Sequence, residues 1–531
     1  MEKIYIYDTT LRDGAQFEGI SFTIKDKIRI AEKLDEIGID FIEGGWPGSN
    51  PKDDEFFKVA AKDLKLKKSK LVAFGSTRRA NASAATDAVM KGLLKSQTKH
   101  ITIFGKSWDL HVRDVLRTTL QENLNMIADS IKYLKKKGRH VMFDAEHFFD
   151  GYKDNPEYAV DTLKAALDGG AEVLILCDTN GGTVTSRIFE ITEEVREKIK
   201  APLGIHTHND SEMAVANSVA AVQAGCTQVQ GTFNGYGERC GNANLVSIIP
   251  ALRYKLSMDC LSDFSLKELT EVSRYIAEIS NMKQLDFQPY VGSSAFAHKA
   301  GVHVNAILKD PKSYEHIDPE KVGNRRRMLI SELSGKSSIL GKAEELGIKI
   351  DKSSDKAKKI LMHVQDLESD GYQFELAEAS LMLLMRRAQE VFKKHFELQD
   401  LRIMVEKRGG TEIVSEATVK VKIGNKVKHT VALGDGPVHA LDQALRKALV
   451  SFYPSLNDMH LSDFRVRVLD EKAGTAAKVR VLIQSQDKTD NWWTVGVSEN
   501  IIEASWLALI DSIEYKFAKD EGKKRKGRSR K

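Results

Sequence analysis

Residues 202–210 read PLGIHTHND, a short apolar run that leads directly into two histidines separated by one residue. Side chains on a β-strand alternate between its two faces, so His206 and His208 at the end of this predicted strand point the same way. Both imidazoles can therefore reach one metal ion. Two other stretches, DTTLRDGAQ (8–16) and GYGERCGNANL (235–245), supply acidic and amide groups from separate turns.

The same unit, a short apolar run followed by a stretch of helical length, recurs through the first 250 residues. The predicted strands are 3–7, 40–44, 70–74, 100–104, 140–144, 172–176, 203–206 and 227–230. The predicted helices between them include 25–37, 116–137, 158–168 and 211–224, and several end at a glycine, the usual helix stop. Strand–helix repeats imply parallel pairing with right-handed crossovers. Eight such strands predict a closed (β/α)₈ TIM barrel within the α/β class.

Polar side chains follow the carboxyl ends of these predicted strands, which is where TIM-barrel active sites lie. They are Arg12 and Asp13 after the first strand, Glu43 and Trp46 after the second, Asp144 and Glu146 after the fifth, Asp178 and Thr179 after the sixth, His206 and His208 on the seventh, and Asn234, Glu238, Arg239 and Asn242 after the eighth. A random scatter of polar residues would not favour one end of the strands. The pattern therefore supports both the barrel and a site at its mouth.

Composition excludes several classes of protein. With 531 residues the chain should hold more than one domain, and 42% hydrophobic and 29% charged residues are typical of a globular protein. No apolar run reaches the ~20 residues of a membrane span, and the first residues show no signal-peptide pattern. The four cysteines have neither metal-knuckle spacing nor the density of a disulfide framework. We therefore expect a cytoplasmic protein with no membrane partner.

The net charge of +5 is concentrated at the carboxyl terminus, where KKRKGRSRK (523–531) carries seven basic residues and no acid. The remainder of the chain is close to neutral. No basic stripe interleaved with aromatic residues occurs there, so we expect no nucleic-acid partner. Residues 520–531 are predicted to be a disordered basic tail.

The second half of the chain has a different organisation. Helical stretches are predicted at 337–346, 355–369 and 376–396 in a helical linker subdomain. Residues 429–449 align without gaps on 493–513, and each copy follows an alternating strand, 416–423 or 476–483. This internal repeat predicts an α+β domain of two pseudo-symmetric units, which has no catalytic cluster and is therefore expected to be regulatory or dimerising. The predicted domains are a catalytic barrel (1–270), linker subdomains (271–398), the repeat domain (399–519) and the tail (520–531).

The polar groups at the barrel mouth suit a particular kind of chemistry. Imidazole nitrogens combined with carboxylate and amide oxygens favour Mn²⁺, Zn²⁺, Co²⁺ or Mg²⁺, and three or four protein ligands leave positions open for a substrate. Arg12, next to the acidic Asp13, would neutralise a bound carboxylate or an oxyanion as it forms. These groups together describe a pocket for a 2-oxo acid whose ketone accepts a carbon nucleophile.

DTTLRDGAQ, HTHND and GYGERCGN together resemble the metal-dependent Claisen-condensing enzymes. This family comprises isopropylmalate, homocitrate and citramalate synthases and is related to HMG-CoA lyase and the carboxyltransferase barrels. The resemblance covers nearly the whole chain, because the repeat domain is similar to the regulatory domain of isopropylmalate and citramalate synthases. Residues 8–22, DTTLRDGAQFEGISF, and 43–53, EGGWPGSNPKD, are most similar to the citramalate synthases.

The resemblance implies roles for individual residues. Asp13, His206 and His208 would be metal ligands, with Asn242 as a fourth. Arg12 would bind the oxo acid and stabilise the oxyanion.

Further residues match catalytic and substrate positions of the family. Glu146 would be the essential acidic residue after the fifth strand, and Thr179 would contact the substrate. His303 and Tyr314 match catalytic residues that the linker subdomain supplies, often across a dimer. A base, His303 assisted by Glu146, would remove a proton from the acetyl group.

The implied reaction is condensation of acetyl-CoA with pyruvate, followed by thioester hydrolysis to citramalate and CoA. We further expect a homodimer whose repeat domain binds an end-product amino acid, isoleucine. The alternatives are a 2-isopropylmalate or homocitrate synthase, which use other 2-oxo acids, a lyase that cleaves the corresponding bond, and a non-catalytic metabolite sensor.

One position departs from the pattern. Some citramalate synthases place an apolar or aromatic side chain where this chain has Asp144. The small pyruvate pocket must then be built from other residues, and Phe74 and Phe104 at the ends of the third and fourth strands are the candidates.

Overall fold

The computed structural model describes residues 3–330, 336–350, 355–389, 392, 394–408, 412–469 and 476–528. The chain divides into two compact units. The first comprises residues 1–296 and 317–326, and the second comprises residues 297–316 and 327–531. None of the helices in the described parts of the chain combines the length and the apolar composition that crossing a bilayer requires.

The first unit is built around eight parallel strands that close into a barrel, with β8 hydrogen-bonded back to β1. The strands are β1 (Tyr5–Asp8), β2 (Phe41–Gly45), β3 (Lys70–Ser76), β4 (His100–Lys106), β5 (His140–Glu146), β6 (Val173–Asp178), β7 (Leu203–Thr207) and β8 (Gln228–Gly231). Each overlaps a predicted strand, with both ends within two residues of the prediction. The predicted TIM barrel is confirmed.

Helices surround the barrel. They are α1 (Ile24–Ile37), α2 (Pro51–Asp63), α3 (Ala88–Lys95), α4 (Leu120–Lys136), α5 (Phe148–Asp154), α6 (Pro156–Gly169), α7 (Thr185–Lys198), α8 (Ala214–Gln223), α9 (Leu245–Lys255), α10 (Asp263–Leu266) and α11 (Leu269–Ile279). Helix α1 begins with a capping box between Thr23 and Asp26 and ends at Gly38, whose φ of 95° is the left-handed conformation that glycine adopts without strain.

Two helices begin later than predicted. Helix α4 was expected from residue 116, but residues 111–115 form a π-helical turn and the side chain of Thr119 caps the helix at Glu122. Helix α8 was expected from residue 211, but Ser211 donates its backbone N–H to the carbonyl of Gly181. That hydrogen bond keeps the loop after β7 non-helical up to Ala214, directly beside the predicted metal ligands.

Two apolar layers support the barrel mouth. A small cluster fills the barrel interior and includes Tyr7, Met142 and Ile175. A larger cluster lies between the strands and the surrounding helices. Because the interior is filled, polar side chains at the carboxyl ends of the strands stand on a packed floor.

The second unit contains four helices in its first part, namely α12 (Gly301–Lys309), α13 (Lys336–Glu345), α14 (Lys356–Ser369) and α15 (Glu378–Ala388), and two short paired strands, β9 (Ala297–His298) and β10 (Arg327–Met328). The helix predicted at 376–396 is shorter than expected. It ends where Gln389 donates to the carbonyl of Lys349, and His395 then donates its backbone N–H to Glu514. Residues 390, 391 and 393 of that prediction lie outside the described residues.

Two three-stranded antiparallel sheets, each followed by a helix, form the rest of the second unit. The elements are β11 (Glu397–Arg408), β12 (Glu412–Ile423), β13 (Lys426–Gly434) and α16 (Pro437–Leu449), then β14 (His460–Val468), β15 (Val479–Asp487), β16 (Asp490–Ser498) and α17 (Ile501–Arg528). The two predicted repeats are confirmed. Each contains an additional leading strand, β11 or β14, that was not predicted because a β-bulge shifts its alternation by one residue, between Leu398 and Asp400 in β11 and between Leu461 and Asp463 in β14.

Helix α17 runs to Arg528, so the structure differs from the expectation of a disordered tail from residue 520. The ammonium groups of Lys516 and Lys519 both donate to Asp487, at 2.9 and 3.2 Å. These ion pairs hold the helix onto β15 as it enters the basic segment. Residues 529–531 of the predicted tail lie outside the described residues. The bounds of the four predicted domains stay predictions.

Candidate active site

A cavity of about 230 Å³ opens at the carboxyl ends of the barrel strands. Six of the predicted site residues line it, namely Arg12, Asp13, Glu146, Thr179, His206 and His208. The cavity wall also contains Trp46, Phe74, Phe104, Asp144 and Arg239. The structure therefore brings together side chains that the sequence placed after strands one to eight.

Asp13, His206 and His208 form a compact, buried set of metal-donor groups whose atoms lie within 4.8 Å of one another. Nε2 of His206 is 3.3 Å from Nε2 of His208 and 3.4 Å from Oδ2 of Asp13. The alternation of side chains along β7 thus directs both imidazoles to one point, as predicted from their spacing.

Electrostatics keeps these three groups in the protonation states that a metal requires. Burial lowers the pKa of His206, and it lowers the pKa of His208 to about 3, so both imidazoles are neutral. Burial alone would raise the pKa of Asp13, but the charge of the adjacent Arg12, together with the two imidazoles while they are protonated, lowers it to about 2. The site presents one carboxylate and two unprotonated nitrogens.

Asn242, the predicted fourth ligand, lies against this set. Its Nδ2 donates to Oδ2 of Asp13 at 2.9 Å and lies 3.4 Å from Nε2 of His206. Its Oδ1 is buried and has no hydrogen-bond partner within the described residues. An unpartnered buried amide oxygen costs free energy, and half a turn of the amide places that oxygen among the donors of Asp13 and His206. These four residues fit a divalent cation.

Gln230, which the sequence analysis did not single out, orients His206 from β8. Its Nε2 donates to Oδ1 of Asp144 at 3.0 Å, and its Oε1 lies 2.9 Å from Nδ1 of His206. An amide oxygen can only accept, so Nδ1 of His206 carries the proton and Nε2 is left as the metal donor. The residue was missed because a glutamine within a strand gives no sign of its cross-strand partner.

Gln230→Leu is expected to lower the affinity for Mn²⁺ by about 10- to 100-fold, because the loss of a supporting hydrogen bond frees the imidazole to rotate and to change tautomer. The affinity is measured by titrating the metal-free protein with Mn²⁺ in a calorimeter. Gln228→Leu is the matched control, since Gln228 is equally buried on β8 but contacts Met142 instead. Equal affinities in the two variants would contradict this role.

Arg12 is fixed from three sides. Its Nε donates to Oε1 of Glu43 at 2.6 Å, and its Nη1 lies 3.3 Å from Oδ1 of Asp13. Its guanidinium carbon is 3.8 Å from the ring centroid of Phe74. Glu43 is held in turn by the hydroxyl of Tyr7, which donates to it at 2.5 Å. The guanidinium is therefore oriented before any substrate arrives.

Aromatic rings form the apolar side of the cavity. Trp46 meets Phe74 and Phe104 edge-on, and these two rings stack on each other with centroids 5.5 Å apart. Phe74 and Phe104 are the two residues expected to replace the missing apolar side chain at position 144. Burial, with a smaller contribution from Glu43, raises the pKa of Asp144 well above its ordinary value. Burial thus favours the neutral form of its carboxyl group, which suits a small and largely apolar pocket.

Thr179 and Glu146 stand at the rim. The hydroxyl oxygen of Thr179 accepts the backbone N–H of His147 at 2.9 Å, which leaves the hydroxyl proton free to be donated. Glu146 forms an ion pair with Lys106. Arg239 donates to the carbonyl of Thr179 at 2.8 Å and pairs with both carboxylate oxygens of Asp210.

His303 and Tyr314 belong to the second unit. The structure brings these two residues together, with ring centroids 4.1 Å apart and an interplanar angle of 28°. Both side chains are exposed. Their catalytic role stays a prediction.

Comparison with known proteins agrees with this architecture. Residues 3–276 match the HMGL-like family, residues 290–371 match the homocitrate synthase post-HMGL domain-like family, and residues 375–517 match the LeuA allosteric (dimerisation) domain. A barrel that carries a buried Asp–His–His site, followed by these two domains, defines an HMGL-like condensing enzyme of the acyltransferase type.

Relatives that match nearly the whole chain narrow this class of enzyme to one family. The chain is 56% identical to the (R)-citramalate synthase of Aquifex aeolicus over 98% of its length and 99% of that protein. It is also 56% identical to the (R)-citramalate synthase of Geobacter sulfurreducens, with the same coverage. Identity to the 2-isopropylmalate synthase of Methanocaldococcus jannaschii is 30%, over 98% of this chain and 96% of that protein. The chain belongs to the (R)-citramalate synthase family.

Proposed function

We propose that this enzyme condenses acetyl-CoA with pyruvate and hydrolyses the thioester to give citramalate and CoA, in the pyruvate route to isoleucine. One observation carries the choice of substrate. Five relatives named (R)-citramalate synthase are 47–56% identical over 96–98% of the chain, whereas those named 2-isopropylmalate synthase are 30–31% identical.

The cavity offers complementary groups for the two ends of pyruvate. The oriented guanidinium of Arg12 neutralises the carboxylate and stabilises the oxyanion that develops on the ketone. The rings of Trp46, Phe74 and Phe104 bound an apolar space suited to a methyl group. The free hydroxyl proton of Thr179 supplies a further hydrogen bond to the substrate.

Asp13, His206, His208 and Asn242 would hold the cofactor, which we propose to be Mn²⁺, Mg²⁺, Zn²⁺ or Co²⁺. A divalent cation bound there supplies Lewis-acid polarisation of the ketone. His303, assisted by Glu146, removes a proton from the acetyl methyl group of acetyl-CoA, and Tyr314 takes part in the same chemistry. The carbanion formed attacks the ketone carbon, and water then cleaves the thioester.

We also propose that the enzyme acts as a homodimer in the cytoplasm and that its repeat domain binds isoleucine as a feedback inhibitor. The match of residues 375–517 to the LeuA allosteric (dimerisation) domain supports this regulation. The confirmed internal repeat, which carries no catalytic cluster, is consistent with it.

Release of free CoA from acetyl-CoA, measured with each 2-oxo acid in turn, tests the reaction. Pyruvate is expected to exceed 2-oxoisovalerate by more than about tenfold in kcat/KM, because each additional carbon must fit against the aromatic wall and one methylene is worth about 10- to 200-fold. EDTA is expected to abolish the release, and Mn²⁺ to restore it.

The other outcomes discriminate between the alternatives. A preference for 2-oxoisovalerate or 2-oxoglutarate would make the enzyme a 2-isopropylmalate or homocitrate synthase. No release with any oxo acid would overturn condensation and favour the lyase or the sensor. Isoleucine added to the same assay tests the proposed effector.

A further inference from the structure

Strands β4 and β5 end side by side at the cavity, and two of their paired positions lie at that end. Phe104 lies opposite Asp144, and Lys106 lies opposite Glu146. Residues two apart on a strand share a face, so Asp144 and Glu146 point the same way. Asp144 therefore has an aromatic neighbour on β4, and Glu146 has a cationic one.

The pair of Lys106 and Glu146 is largely withdrawn from solvent, with 16% and 23% of the two side chains exposed. The ammonium group of Lys106 also lies 5.4 Å from the ring centroid of Phe104. Charges in this setting are screened less by water than those of a surface ion pair. Their attraction therefore favours the paired conformation of the two side chains.

The backbone at the end of β4 is itself held in place. Nδ2 of the buried Asn123 donates to the carbonyl of Lys106 and to the hydroxyl of Tyr158, both at 2.8 Å. The backbone N–H of Ser107 donates to the carbonyl of Glu146 at 3.0 Å. These hydrogen bonds fix the backbone at Lys106, and therefore the position of the Cα atom that carries its side chain.

Lys106 and Glu146 relate differently to the cavity. Among the residues that the structure describes, Glu146 and Phe104 line the cavity, whereas Lys106 does not. The geometry therefore places the carboxylate of Glu146 at the cavity wall and the ammonium group of Lys106 behind it. An unpaired glutamate at a rim would lose this fixed position, because its side chain has several rotamers available.

We propose that Lys106 is a positioning residue that holds the Glu146 carboxylate at one place on the cavity wall and acts on the reaction only through it. The inference rests on the proposed function, in which Glu146 assists proton removal from acetyl-CoA. It adds a residue whose effect on turnover does not require contact with either substrate.

Four variants test this inference, namely Lys106→Met, Lys106→Arg, Glu146→Gln and the double variant Lys106→Met/Glu146→Gln. Lys106→Met is expected to lower kcat by about 10- to 100-fold, a typical contribution of a positioned acid–base group, and to leave KM for pyruvate within about twofold. Lys106→Arg retains the charge and is expected to recover most of the lost turnover. The double variant is expected to be no slower than Glu146→Gln, since residues that act as a unit are not additive.

A second ion pair elsewhere on the barrel serves as the control for a general structural effect of replacing a paired lysine by methionine. Lys135 forms an ion pair with Glu172, with 33% and 40% of the side chains exposed, on helix α4 and ahead of β6. Lys135→Met is expected to keep kcat unchanged. Lys106→Met should still unfold in a single cooperative thermal transition, and its Mn²⁺ affinity should match that of the parent protein.

The results that would contradict the role of Lys106 differ from those that would contradict the role of Glu146. Full additivity in the double variant, unchanged kcat in Lys106→Met, or a raised KM with kcat preserved would overturn the positioning role. Full activity of Glu146→Gln would instead overturn the role of Glu146 in the proposed function. A lysine that binds substrate directly would raise KM and would still matter in the Glu146→Gln background.

Discussion

Arg12→Lys is expected to lower kcat by about 10²- to 10³-fold even though the positive charge is retained. The guanidinium donates to Glu43, lies beside Asp13 and stacks on Phe74, and its remaining N–H groups face the cavity. A lysine has one small ammonium group, which cannot reach Glu43 and also present two parallel donors to a carboxylate. Steady-state release of CoA with saturating pyruvate measures the effect.

Arg253→Lys is the control for the loss of a guanidinium. Arg253 on α9 pairs with Asp263 through a single Nε contact of 3.1 Å and is away from the cavity. We expect kcat of this variant to stay within about twofold of the parent value, as is usual for a surface substitution. If Arg12→Lys behaved in the same way, the oxyanion would have to be stabilised by another group.

His206→Ala is expected to remove bound metal and to lower kcat/KM by about 10³-fold or more, which corresponds to about 4 kcal/mol of transition-state stabilisation. The imidazole lies within 3.4 Å of both Asp13 and His208, so its loss removes the central donor of the set. Metal content after dialysis against Mn²⁺, determined by elemental analysis, checks the binding independently of activity.

His140→Ala is the matched histidine control at the other end of the barrel. His140 begins β5 and stacks on His100, with ring centroids 4.8 Å apart. The His140→Ala variant should have the metal content and the activity of the parent protein. Retention of stoichiometric Mn²⁺ by His206→Ala would show that the ligand set had been assigned wrongly.

The sequence was sufficient to predict the barrel because each strand carries its own local signal. Apolar runs of four or five residues and the glycines that end the helices do not depend on distant partners. The convergence of His206 and His208 was equally local, since it follows from the alternation of one strand. Thr179, Arg12 and Asp13 were found because they lie in the turns that follow the carboxyl ends of predicted strands.

Other parts of the site depend on which strands become neighbours and in what register. Gln230 contacts His206 only because β8 pairs with β7, and Lys106 contacts Glu146 only because β4 pairs with β5 in one register. A sequence pattern places such a side chain on a face but does not name its partner. The leading strands β11 and β14 were missed for a different reason, because a β-bulge near the start of each strand shifts its period of two by one residue.

The spacing of the two histidines at the end of β7 also limits where residues can be inserted into or deleted from this chain. One codon inserted between Leu203 and His206 would turn both imidazoles away from the barrel axis, toward the surrounding helices. Two codons would restore their direction but would carry them about 7 Å farther along the strand, beyond Asp13. Lineages of this enzyme should therefore accumulate insertions and deletions in the loops that precede the strands, while the eight strand lengths stay constant.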